Sequence, residues 1–133
     1  MTQTQPLAPV SVIIYAKDKD RVAEFYRQTL ALAVKEEDPS FTLLREGDLE
    51  VSVVRIPDAI ASTFTVSVPP ELRESTPLKA SFLVQDFEAV RAAAVRTGGS
   101  LRPSEGAWSW RGALHLDGCD PEGNVVQFRR SDA

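Results

Sequence analysis

The chain has little of several things, and each shortage removes a class of protein. It has one cysteine, Cys119, so no disulfide can form within the chain, and a reducing cytoplasmic setting is expected. It has no surplus of positive charge. Fifteen Lys and Arg against 19 Asp and Glu leave a net charge of -4, which argues against nucleic acid, whose phosphates call for a basic patch. That balance favours a ligand that is neutral or cationic. No apolar run approaches the roughly 18–20 residues of a membrane helix, so no membrane contact is expected. Met1 to Pro9 lacks the basic and apolar segments of a signal peptide. No phosphate-binding GxxxxGK loop, GxGxxG turn or GxSxG elbow occurs. What remains is a 133-residue chain, 43% hydrophobic and 26% charged, the profile of one ordinary globular domain able to bury its own core.

One pattern is written twice. Ser11 to Thr29 reads SVIIYAKDKDRVAEFYRQT, and Lys79 to Thr97, 68 residues on, reads KASFLVQDFEAVRAAAVRT. Each has a half-alternating apolar strand, an Asp suited to cap a helix, and an amphipathic run. Val22, Phe25, Tyr26 and Leu30 share one face of the first helix; Phe87, Val90 and Ala94 share one face of the second, which Gly98 and Gly99 end. Three strands follow each helix: Leu32 to Lys35, Phe41 to Arg45 and Leu49 to Ile56, then Ser100 to Arg102, Gly112 to Leu116 and Val125 to Arg130. Residues 57–78 read as a linker with one short strand, Phe64 to Val68. The predicted fold is a single α+β domain of two βαβββ half-units, about 10–56 and 79–130. Their paired, curved, mixed sheets surround a central cavity, with the helices outside. A cleft between half-units is a standard place for a small-molecule site.

These segments resemble the vicinal-oxygen-chelate superfamily, which includes glyoxalase I, extradiol dioxygenases, fosfomycin-resistance thiol transferases and bleomycin-resistance proteins. The resemblance rests on Val12 to Asp18, on Phe25-Tyr26 with Leu30 and Leu32 after it, and on the turn Asp120-Pro121-Glu122-Gly123-Asn124 before Val125 to Phe128. It covers Val10 to Arg130 and speaks for the fold more than for a reaction, because the superfamily hosts many chemistries.

The resemblance implies metal ligands, usually His or Glu, on the first and last strand of each half. Counting to those positions gives Ser11, Lys79 and Gln127; the fourth is Ser52 by alternation, with Glu50 the other choice. Serine is a poor neutral ligand, a lysine cation repels a metal, and one amide does not hold one. No metal and no cofactor are therefore expected.

Other residues remain as candidates. His115, the only histidine, falls on the cavity side of its strand, as a hydrogen-bonded wall residue or as an acid or base. Trp108 and Trp110 lie in a loop-like stretch and suit either a pocket for a flat or cationic ligand or a dimer interface. Tyr15 shares the face of Ser11. Lys79, Ser81 and Arg129 face the same cavity, where the two cations could meet a carboxylate or phosphate. Cys119 reads as a passive small residue.

The expected ligand-binding set is thus Ser11, Tyr15, Ser52, Lys79, Ser81, Trp108, Trp110, His115 and Gln127. The favoured reading is a metal-independent protein that binds a small organic molecule, cytoplasmic and, as the resemblance implies, homodimeric. The alternatives are a metal-dependent lyase or dioxygenase, and a metal-free enzyme using His115 and Tyr15.

Overall fold

The computed structural model describes residues 6–132. In chain order the elements are β1 (Val10–Ala16), α1 (Lys19–Thr29), β2 (Ala33–Asp38), β3 (Phe41–Glu46), β4 (Leu49–Arg55), α2 (Asp58–Ala61), β5 (Ser81–Leu83), α3 (Phe87–Arg96), β6 (Ser100–Leu101), β7 (Trp108–Trp110), β8 (Ala113–Cys119) and β9 (Val125–Ser131). Both aspartates cap their helices: Asp18 accepts from the Arg21 N–H at 3.1 Å and Asp86 from the Glu88 N–H at 2.9 Å.

Each half forms its own mixed sheet. The first runs β1-β4-β3-β2 and the second β5-β9-β8-β6, with β7 also on β8. In each sheet the first strand lies parallel to the last, and the other pairs are antiparallel. Alternation then divides the faces. Leu44, Val51, Val53, Phe82, Leu116, Val126 and Phe128 are buried beneath the helices, against Val22, Phe25, Tyr26, Phe87, Val90 and Ala94. The opposite faces stay open and carry the site.

Three expectations are corrected. Phe64 to Val68 forms no strand. Phe64 instead places its ring under Lys17 Nζ, at 4.8 Å, and the Arg73 guanidinium, at 5.8 Å. Trp108 to Trp110 is not a loop but strand β7, turned into β8 by Arg111-Gly112. Both turn residues have positive φ, 54° and 77°, so this is a tight hairpin whose first residue lacks the usual Asn or Asp signature. The strand predicted over Leu32 to Lys35 extends to Asp38: β2 is a wholly exposed edge strand, whose charged Lys35 to Asp38 show no apolar alternation to read.

The DPEGN turn ties the halves together. Asp120, fully buried, accepts from the Tyr26 hydroxyl at 2.7 Å and the Asn124 side-chain amide at 2.8 Å through Oδ2, and from the Glu122 and Asn124 backbone N–H groups through Oδ1. Glu122 reaches the start of α1, accepting from the backbone N–H of Lys17 at 2.9 Å and of Asp18 at 2.8 Å. A turn in the second half thus holds a helix in the first by its N-terminus and its middle. Burial, then the neighbouring Asp120 charge, pushes the Tyr26 hydroxyl well above the ordinary value of 10.0. Stability from that raised group is fully present below pH 10 and is lost as pH climbs through the folded value. The advantage of the native protein over Tyr26→Phe in urea midpoint should therefore narrow above about pH 10. A constant advantage from pH 8 to 11 would show that Tyr26 is not held as a buried phenol.

The end of α1 carries a local cost. Ala31 sits in the left-handed region at φ 53°, where the Leu32 N–H closes back on the Arg27 carbonyl at 3.0 Å. Glycine is the usual residue at this position. Ala31→Gly should raise stability by about 0.5–1 kcal/mol, read as a higher thermal midpoint.

Candidate functional site

On the open face of the second sheet, β-pairing sets the candidates side by side. His115 stands between Trp108 on β7 and Arg129 on β9, and Gln127 stands between Ser81 on β5 and Asp117 on β8. A polar chain links them: the Ser81 hydroxyl donates to Gln127 Oε1 at 2.6 Å, His115 Nδ1 lies 3.1 Å from the same oxygen, and Nε2 lies 3.0 Å from the Trp110 carbonyl. The imidazole is buried, stacked on Trp108 (centroids 5.6 Å apart, planes 18° apart) and tilted against Trp110 (5.6 Å, 51°). Both ring nitrogens face protein oxygens, Gln127 Oε1 and the Trp110 carbonyl, so whichever nitrogen carries the proton donates within the protein, which suits a fixed wall better than a freely available base. Ser81, Trp110, Arg111, Ala113, His115, Gln127 and Arg129 together line an open pocket of about 380 Å³.

The other candidates gather elsewhere. Ser11, Tyr15 and Lys79 line a larger groove of about 710 Å³, between the edge of β1 and the segment leading into β5, floored by Tyr26 and Phe82. Tyr15 is 62% exposed there. Ser52 and Trp108 line neither space, although Trp108 backs His115. The structure thus separates Tyr15 from His115 rather than joining them in one pocket. Cys119 lies buried with its sulfur 3.2 Å from the Ser100 hydroxyl.

The register also resolves the fourth position. Ile13 pairs with Ser52 as Ser81 pairs with Gln127, and Ile13 and Ser81 are equivalent in the repeat, so Ser52 is the counterpart of Gln127. Glu50 instead faces Ser11 and accepts from its hydroxyl at 2.5 Å. Lys79 is held 2.9 Å from Asp117. Ser11, Ser52, Lys79 and Gln127 are therefore two hydroxyls, a cation and an amide, three of them already bonded to neighbours. This set does not fit a divalent metal. Among the described residues no three His, Cys, Asp or Glu side chains converge on a point that could hold one.

Two participants were missed in the sequence. Asp117 lies on the site's face and anchors Lys79; alternation with His115 was its signal. Arg111 lines the pocket from the hairpin turn, and its guanidinium lies 5.5 Å over the Trp110 ring. Read as a loop residue, it carried no signal.

Among the described residues no helix is long and apolar enough to cross a membrane. Comparison with solved structures finds this fold repeatedly. A glyoxalase/bleomycin resistance protein/dioxygenase family enzyme from Burkholderia phytofirmans PsJN is 18% identical, with TM-score 0.65, over 91% of this chain and 96% of that one. A glyoxalase/bleomycin resistance protein from Albidiferax ferrireducens T118 is 17% identical, with TM-score 0.62, over 90% and 95%. The fosfomycin resistance protein FosX from Mesorhizobium loti is 12% identical, with TM-score 0.63, over 96% and 94%. No curated protein sequence matches the chain significantly. At these identities the neighbours speak for the fold, and a sequence-family model adds descent: the glyoxalase-like domain matches residues 11–128, nearly the whole repeated unit. With both half-units, their mixed sheets and the DPEGN lock accounted for by that match, the chain belongs to the glyoxalase-like family of the vicinal-oxygen-chelate superfamily.

Proposed function

We propose that this protein binds a small organic molecule without a metal, on the open face of its second sheet. The observation that carries the reading is the pocket wall. Ser81, Gln127, His115 and the Trp110 backbone form one hydrogen-bonded chain, while the Trp110 side chain is 59% exposed beside it. A fixed polar wall next to an open indole is a preorganised binding surface, since little order must be imposed when a ligand arrives. The engaged nitrogens of His115, and the distance of Tyr15 in another groove, favour binding over catalysis. The unsuitable donor set favours metal independence over lyase or dioxygenase chemistry.

The chain's only two tryptophans, Trp108 and Trp110, stand on or behind this wall, so intrinsic fluorescence reports on it. A compound library titrated into chelator-treated protein should yield compounds that change the emission saturably, and Trp110→Leu should weaken them at least tenfold, about 1.4 kcal/mol. Responses that appear only after a divalent metal is supplied would sink the reading. Exposed Ile13 and Tyr15 on one sheet, with Leu83, Trp108 and Trp110 on the other, support a homodimer that covers part of these faces. The cytoplasmic setting continues to rest on the single cysteine.

A further inference from the structure

We infer that the pocket at Trp110 selects a planar organic anion, an aryl or conjugated carboxylate. This rests on the binding-site reading above and adds the ligand's charge and shape. The pocket's own charge runs against the acidic balance of the whole chain. Two guanidiniums, Arg111 and Arg129, line the pocket together with Ser81, Trp110, Ala113, His115 and Gln127, and none of these seven is a carboxylate. The chain's other arginines near acids are spoken for: Arg27 by Glu24, Arg55 by Asp58, Arg91 by Glu88 and Arg102 by Glu74. Arg111 and Arg129 have no carboxylate partner among the described residues; Arg111 has only the Trp110 ring. Asp117, which lies on this face of the sheet, is bound to Lys79. Two unpaired guanidiniums beside an indole can offer an anion forked N–H donors and a flat apolar surface together.

A second observation points the same way. Arg111 occupies the first central position of the Trp110–Ala113 hairpin at φ 54°, where asparagine or aspartate is the favoured choice. A bulky residue in the left-handed region is strained, and such strain collects at binding sites. The geometry gives that position a use, because it holds the guanidinium over Trp110 at the pocket's mouth. Flatness follows from the wall. His115 is buried behind the pocket, stacked on Trp108, so the exposed indole of Trp110 is the aromatic face the pocket presents, and a planar ligand covers such a face better than a thick aliphatic one.

The test is a calorimetric titration of the full chain with three probes of one shape: 2-naphthoate, its neutral amide and 2-naphthylmethylammonium. The naphthoate should bind at least tenfold more tightly than the amide, and the ammonium most weakly. Arg129→Gln should cut the preference for naphthoate over amide, weakening naphthoate more than the amide, with Arg111 retaining the remainder. Arg111→Asn should weaken naphthoate yet raise the protein's thermal midpoint, a combination that a merely structural arginine would not produce. Equal binding of naphthoate and amide, with both dependent on Trp110, would overturn the anion inference and leave the binding-site reading standing. Binding of none of the three would overturn the inference outright, with the library screen then deciding the broader reading. Arg129→Gln that keeps the full preference would also overturn it.

Discussion

Replacing Asp120 with alanine is expected to cost about 3–5 kcal/mol of stability, the largest loss from any single truncation of a polar side chain in this protein. The carboxylate is fully buried and accepts from the Tyr26 hydroxyl, the Asn124 amide and the backbone N–H groups of Glu122 and Asn124. Alanine leaves those donors buried with nothing to bond, and each unmade bond costs about 1–3 kcal/mol, although local relaxation recovers part of the sum. The turn that Asp120 organises also carries Glu122 to the start of α1, so the loss should spread beyond one contact. Urea unfolding would measure it. A double-mutant cycle with Tyr26→Phe should show strong coupling, because both side chains serve one bond across the two halves. Additive effects would mean that the turn does not hold the helix.

Gly123→Ala is expected to cost about 3 kcal/mol, from two causes at one position. Its φ of 89° lies where side chains are strained, and a Cβ there would stand 1.9 Å from the Glu71 carbonyl oxygen. The backbone must shift to make room. The shift falls on the linker, whose Arg73 N–H donates to the Gly123 carbonyl at 2.8 Å. Arg73 and Thr76 to Lys79 line the groove beside β1, so loosening of this segment should show as faster exchange of the Arg73 amide, ahead of any global unfolding. A variant as stable as the parent would contradict the close packing of linker against turn.

The fold was readable because its signals are local. Asp18 and Asp86 announce helix starts, the apolar face of α1 has helical spacing, and DPEGN can be little but a tight turn. What the sequence hid is that Phe25-Tyr26 and DPEGN are two ends of one contact, since the Tyr26 to Asp120 bond spans most of the chain. The hairpin at Arg111-Gly112 was hidden because arginine is the wrong residue by propensity, and that mismatch turned out to be the most informative feature of the site. Ser52 and Glu50 were hard to separate because both fall on one face of β4; pairing register, a property of two strands at once, distinguishes them. Net charge is silent on the pocket for a simpler reason. It averages the whole surface, whereas the pocket at Trp110 gathers two arginines and no acid.

On our reading a ligand is held on the Trp110 and His115 wall without a metal. This is tested most directly by the affinity of a compound that changes tryptophan emission, measured in excess chelator and again in excess zinc or manganese. The same dissociation constant is expected in both, within about twofold, or about 0.4 kcal/mol. Binding that disappears in chelator and returns with stoichiometric metal would contradict it.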